Sequence, residues 1–235
     1  MINGHEKETQ ELSAEEILLA TNLIEPFKGR SKDNPIKAKE IVAKVNKHYD
    51  LKSKFTDVRL RKIVNYYRTN SIIPIISGGM GYYVSYEPNR IVKMIQSLGS
   101  QVKSLNNCIN GMESFLDGRK IDYVCNLTEE DADISEHLLI FLKKFNKENP
   151  IKSFNIVDYW NNNFSKYKFT DVRLRMIINH YRINGIIPII STSNGYFVSY
   201  LNDDIEAMII SLSQRAKSIT DCCDGLQRIL DNNKV

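Results

Sequence analysis

Apolar residues recur at helical spacing along most of the chain, beginning with Ile17, Leu18, Ala20, Leu23 and Ile24. The preceding Ser13-Ala-Glu-Glu16 has the spacing of a capping box, so a helix is predicted to start there. Ile41, Val42 and Val45 predict a short second helix after Pro35. Leu60, Ile63, Val64 and Tyr67 fall at i, i+3, i+4 and i+7 and predict a third, with Thr56 as its cap and Asp57 complementing the dipole in its first turn. It should stop near Asn70. The period then changes. Ile72-Ile-Pro-Ile-Ile-Ser77 and Tyr82-Tyr-Val-Ser-Tyr86 are β-prone runs split by Gly78-Gly-Met-Gly81, the pattern of a hairpin whose first run Pro74 places on a sheet edge.

The whole pattern occurs twice. Residues 54–117 recur at 168–231 with a constant offset of 114, so that Lys54-Phe-Thr-Asp-Val-Arg-Leu-Arg61 matches Lys168-Phe-Thr-Asp-Val-Arg-Leu-Arg175 and Gly81-Tyr-Tyr-Val matches Gly195-Tyr-Phe-Val. Upstream, Pro35-Ile-Lys and Pro150-Ile-Lys match at 115. A repeat of this length makes two tandem domains, 1–117 and 118–235, rather than a solenoid, whose repeats run to roughly 20–50 residues. In the second copy Ile156, Val157 and Trp160 take the second helix, Thr170 caps the third, and Gly185 ends it.

Beyond each hairpin the apolar residues step by four and three. Ile91, Ile95, Leu98, Val102, Leu105, Ile109, Met112 and Leu116 do so in the first copy, and Ile205, Ile209, Leu212, Ala216, Ile219, Cys223, Leu226 and Leu230 in the second. A heptad seam of this length predicts a helix of about 45 Å, more apolar stripe than one small domain buries. The helices are expected to pair through Ile95, Leu98, Val102, Leu105 and Ile109 with Ile209, Leu212, Ile219 and Leu226, either inside one chain or in a homodimer. Packing back on the parent domain is the alternative. Gly99, Gly111 and Gly225 each weaken helix propensity by about 1 kcal/mol relative to alanine, so packing has to hold these helices.

Three helices, a hairpin, a Thr-x-x-Arg helix start, an Ile-Pro-Ile-Ile-Ser strand and a Gly-Tyr-Tyr/Phe strand together resemble the winged helix-turn-helix domains of phage, prophage and bacterial DNA-binding proteins. The resemblance covers about half of each copy. It implies a mainly α fold with small β-hairpin wings, as two tandem winged-helix domains, and the heptad pattern adds a long helix after each. It also implies a sequence-specific binder of double-stranded DNA, acting as a transcriptional regulator or as a replication or partition site binder of a phage or mobile element.

In that fold the outward face of the third helix enters the major groove, where Arg and Asn make bidentate contacts with guanine and adenine. With the apolar residues turned inward, Arg59, Lys62 and Tyr66 share one flank and Arg61, Asn65 and Arg68 another, supported by Lys44 and Lys47 on the second helix. The second copy offers Arg173, Arg175, Asn179, His180 and Arg182. The alternative for any one arginine is an ion pair with Asp57 or a bond to a helix end. Residues 11–86 carry about +5 and residues 128–200 about +1, which makes the first copy the stronger candidate for a polyanion and leaves a protein partner open for the second. The wing turns carry no Lys or Arg, and the wing tyrosines are expected to pack against the helices.

Bulk composition adds little: a net charge of +4, 42% hydrophobic and 26% charged residues describe an ordinary globular chain. Cys108, Cys125, Cys222 and Cys223 fit neither a disulfide framework nor a metal site, and no apolar run approaches a membrane span, so a reducing cytoplasmic setting without a membrane is expected. His5, His48, His137 and His180 have no ligand spacing, and Glu129-Glu-Asp-Ala-Asp133 reads as a dipole-complementing first turn. No enzyme, cofactor or metal is expected. The rival to DNA binding is a non-catalytic scaffold that uses winged helices and coiled-coil helices to bind proteins.

Overall fold

The structure, a computed structural model, describes residues 11–124, 127–164 and 168–232. It is mainly helical, with two small antiparallel hairpins. The first repeat runs α1 (Ala14–Lys28), α2 (Ala38–His48), α3 (Asp57–Thr69), β1 (Ile75–Gly78), β2 (Gly81–Val84) and α4 (Pro88–Asp117). The second runs α5 (Glu129–Leu142), α6 (Ser153–Asn163), α7 (Asp171–Ile183), β3 (Ile189–Thr192), β4 (Gly195–Val198) and α8 (Asn202–Asn232). Among the described residues no helix is long and apolar enough to cross a membrane.

Local chemistry sets the helix starts. Ser13 accepts from the Glu16 amide while the Glu16 carboxylate accepts from the Ser13 amide, so both halves of the capping box are made. Thr56 and Thr170 accept from the amides of Arg59 and Arg173. Leu60, Ile63, Val64 and Tyr67 of α3 are buried against Leu19, Leu23 and Phe27 of α1 and Ile41 and Val45 of α2. The apolar face of α1 is rotated from the one the spacing suggested. Ile17 is 47% and Leu18 63% exposed, while Leu19, Phe27 and the charged Glu16 are buried. Charge pairing at Glu16, described below, makes that rotation affordable.

Each hairpin is tied to the start of a helix by a contact that apolar spacing did not suggest. Ile36 exchanges both backbone hydrogen bonds with Tyr82, at 2.9 and 2.8 Å, and Ile151 does the same with Tyr196 at 2.9 and 2.8 Å. The approach demands glycine at the head of β2: Gly81 has φ +127°, and a Cβ there would lie 2.5 Å from the Ile36 carbonyl oxygen. Lys37, next to Ile36, is thereby held beside the hairpin.

Packing divides the chain into two compact units that are not the two repeats. Among the described residues one unit comprises 11–103 with 215–232, and the other comprises 104–214. Each unit therefore combines the N-terminal part of its own long helix with the C-terminal part of the other repeat's. The repeat boundary at 117/118 is a boundary of sequence, whereas the packing boundaries fall within α4 and α8.

Two helix glycines explain this arrangement. A Cβ on Gly225 of α8 would lie 1.9 Å from the Arg68 carbonyl oxygen at the end of α3, and one on Gly111 of α4 would lie 1.7 Å from that of Arg182 at the end of α7. Only a bare Cα admits such an approach. In the first unit Arg228 donates to the Thr69 carbonyl at 2.6 Å, one of the carbonyls that a helix end leaves unpaired. Ser71, which holds a left-handed φ of 57°, donates to the Gly225 carbonyl at 2.9 Å and accepts from Arg228 at 3.1 Å. In the other unit Gly185 stands where Ser71 does, and the Ser114 hydroxyl donates to the Gly111 carbonyl at 2.7 Å instead.

The buried stripe on the long helices is also displaced from the expected seam. Leu98, Leu212, Ile219 and Leu226 are buried as expected, but Ile95, Val102, Leu105, Ile109 and Ile209 are half-buried, and Met94, Cys108, Met208 and Cys222 are buried beside them. The stripe has a second duty. In the unit 104–214, Cys108, Met112, Ile205, Met208 and Leu212 share a cluster with Ile190 and Phe197 of the β3–β4 hairpin. It thus faces a sheet as well as a helix.

Two glycine substitutions are expected to act in opposite directions. Gly225→Ala should destabilise by about 1–3 kcal/mol, as overpacking does. Gly99→Ala should stabilise by about 1 kcal/mol, since nothing lies within 4 Å of a Cβ there. Urea unfolding of both variants reads the signs directly.

Candidate nucleic-acid interface

The basic residues of α3 divide into those that hold the fold and those that face solvent. Arg59 donates to Glu15 at 2.6 Å, to Glu16 at 3.1 Å and to the Ser53 carbonyl at 2.9 Å. Lys62 donates to Glu16 at 2.8 Å with a side chain only 10% exposed. Arg68 is buried and donates to the Ile75 carbonyl and the Ser77 hydroxyl, both at 2.9 Å, locking α3 to β1. Tyr66 packs on the core. Of the residues expected as DNA contacts, Arg59, Lys62 and Arg68 serve as internal ties, neutralising two acids of α1 and satisfying the hairpin, and Tyr66 is partly buried against the core.

The second repeat uses its bases in the same way. Arg173 pairs with Glu130 and Asp131, and Arg182 is buried with its Nε donating to the Ile189 carbonyl at 2.9 Å. His180 is 2% exposed, with Tyr123 packed edge-on against its ring at 5.6 Å, and burial holds its pKa below the usual imidazole range. His180 and Arg182 are thus buried, and Arg173 is half-buried. The acidic run at 129–131 consequently supplies partners for Arg173 as well as a favourable first turn for α5.

Glu16 is the centre of the α1–α3 contact. Burial pushes its pKa up, but the Lys62 ammonium, the Ser13 amide and the Arg59 guanidinium overcome that and hold it at about 2. Met176 replaces Lys62 in the second repeat, and there the shorter Asp131 pairs with Arg173 alone among these bases.

Arg61 and Asn65 remain. Arg61 is exposed and pairs with Asp57 at 2.7 Å, one turn earlier, an arrangement worth little in water. Both line a cleft with Arg215, Gln101, Tyr82 and Ser77. Two further clefts continue it along the hairpin. One adjoins Lys37, Gly79 and Ser97, and the other Lys32, Arg90 and Lys93; Ser77 and Met94 line all three. One groove within the unit 11–103 and 215–232 thus carries Arg61, Arg215, Lys37, Lys32, Lys93 and Arg90. Its one carboxylate, Glu87, is paired with Arg90. Lys32, Lys37, Lys93 and Arg215 have no ion pair among the described residues. Tyr83 lines the groove beneath Arg90, whose guanidinium lies 6.0 Å from the ring centroid.

The other repeat does not reproduce this charge. Asp204 stands for Arg90, Ala207 for Lys93 and Leu201 for Glu87, and Lys147, the counterpart of Lys32, is bound to Asp204 at 2.7 Å. Arg175 is exposed and pairs with Asp171, and Asn179 is half-buried. Of the lysines expected on α2, Lys47 is exposed and Lys44 rims a separate groove between α1 and α2. Third-helix spacing could not show Lys32, Lys93 or Arg215, which come from a loop and two long helices. Cys108 and Cys222 are buried free thiols, raised in pKa by that burial, Cys223 is a half-buried one, and Cys125 lies outside the described residues. Compared with protein-family models, curated proteins and solved structures, the chain matches none.

Glu16→Gln should lower stability at neutral pH by roughly 3 kcal/mol, because Lys62 loses its buried counter-charge and Arg59 keeps only Glu15. The carboxylate's pKa is depressed in the folded state, so its contribution is complete above 4.5 and fades as pH falls toward about 2. Chemical denaturation across that range should show a steep acid loss in the parent and a shallower one in Glu16→Gln.

Proposed function

We propose that this protein is a non-enzymatic binder of double-stranded DNA, built as two tandem winged helices, in which the first repeat makes the main grip. The order of three helices and a hairpin in each repeat, with a threonine-capped third helix, supports the winged-helix reading. The observation that carries the DNA reading is the hairpin groove, where Lys37, Lys93 and Arg215 have no ion pair among the described residues and Lys32 stands near Glu87, whose partner is Arg90, a charge the other repeat lacks. A phosphate backbone seated along it would meet Lys32, Lys37, Lys93 and Arg215, and such contacts supply most of the affinity for a duplex. Base readout falls to Arg61 and Asn65, whose chemistry suits guanine and adenine. The exposed pair of Arg61 with Asp57 is itself worth little in water.

A role as transcriptional regulator or as site binder in replication or partition is compatible with this grip. A second reading, in which the second repeat meets a protein, is favoured by α7, where Val172 is 73% and Met176 37% exposed. The two repeats then have different partners.

Band-shift or filter binding over a range of salt tests the proposal. The full chain should bind duplex DNA with a steep salt dependence. Lys32→Ala, Lys37→Ala and Lys93→Ala together should weaken binding about tenfold or more and reduce the log–log salt slope by about 3. Lys152→Ala with Lys168→Ala should change little. Absence of binding, or equal loss from both sets, contradicts the assignment.

A further inference from the structure

The two repeats treat the space between their first two helices differently. In the first repeat α1 and α2 leave an open groove of about 280 Å³, floored by Leu23, Phe27, Ile41 and Val45 and edged by Pro26 and Tyr49. Arg30, Lys44 and His48 stand on its rim. It shares no lining residue with the hairpin groove.

In the second repeat the corresponding positions carry aromatic rings. Phe141 stands for Pro26, Phe145 for Arg30, Tyr159 for Lys44 and Trp160 for Val45. Phe141 stacks on Tyr159 at 4.5 Å and packs against Phe145 at 5.2 Å, while Trp160 stacks on Phe164 at 4.5 Å. The second repeat thus fills with its own rings the space that the first leaves open, and in exchange it gives up two rim cations.

We propose that the α1–α2 groove of the first repeat is a docking site for an acidic peptide segment of a partner protein, which inserts one aromatic side chain. The internal copy is the template for the ring, since the same two-helix frame already packs Phe141 and Tyr159 there. The rim selects the flanks. Lys44 on α2 and Arg30 beyond the end of α1 stand on the rim and Lys47 is exposed on α2, so carboxylates on either side of the inserted ring meet cations. A volume at the small end of ligand pockets suits one or two rings rather than a larger molecule. An aromatic anchor with a charged rim is also the usual composition of a compact binding centre.

The test is selection of a displayed library of random 12-residue peptides on the full chain, followed by titration of the enriched peptides. The expected result is enrichment of an aromatic residue flanked by Asp or Glu. Pro26→Phe with Lys44→Tyr, which copies the second repeat, should abolish binding and raise the melting temperature by filling the groove. Lys44→Glu, at an exposed position, should weaken the same peptides about tenfold or more while leaving the melting temperature unchanged. Failure to enrich acidic aromatic peptides overturns the proposal, as does equal binding to the filled variant. Displacement of the peptides by single-stranded oligothymidylate at lower concentration than by unlabelled peptide would assign the groove to nucleobases and would also overturn it. None of these outcomes depends on whether the hairpin groove binds duplex DNA.

Discussion

At Gly225 the backbone of α8 lies against the last carbonyls of α3, and at Gly111 the backbone of α4 lies against those of α7. This close approach of one helix to the exposed end of another is the constraint on which the architecture turns. A helix end buried without partners leaves carbonyls unsatisfied. In the unit 11–103 with 215–232 the crossing helix brings a donor with it, Arg228 to Thr69, and Ser71 closes on the Gly225 carbonyl, while in the other unit Ser114 donates to the Gly111 carbonyl of its own helix. The contact itself is what both copies keep, through different side chains.

Because each crossing helix comes from the other repeat, duplication and packing are out of step. The third helix of the first repeat is completed by residues 215–232, more than a hundred positions away in sequence. Apolar stripe that one repeat cannot cover is thereby covered within the chain. The same crossing brings Arg215 beside Arg61 and Asn65, so the groove proposed to hold DNA is complete only when both long helices are present.

Local patterns carried much of this fold in readable form. The capping box at Ser13, the threonine caps, the inward face of α3 and the hairpins all follow from interactions within a few residues, which is why spacing showed them. The face of α1 did not follow, because Glu16 is buried by charge pairing with Arg59 and Lys62 from over 40 residues away, and a charged residue in a sequence pattern reads as solvent-facing. Arg59 and Arg68 misled for the same reason: side-chain chemistry suited to a base edge is equally suited to a carboxylate or a buried carbonyl. Gly111 and Gly225 were visible only as weaknesses in a helix. Their use appears once the chain end of another helix is placed against them.

The architecture depends most on α8 lying across the end of α3 within a single chain. The Thr69 hydroxyl oxygen lies 3.5 Å from the Cys222 sulfur. Thr69→Cys should therefore form a disulfide with Cys222 under mild oxidation. Mapping by mass spectrometry after proteolysis should find that bond in protein that migrates as one chain. No bond to Cys222, or a bond found only in cross-linked dimers, would contradict the exchange.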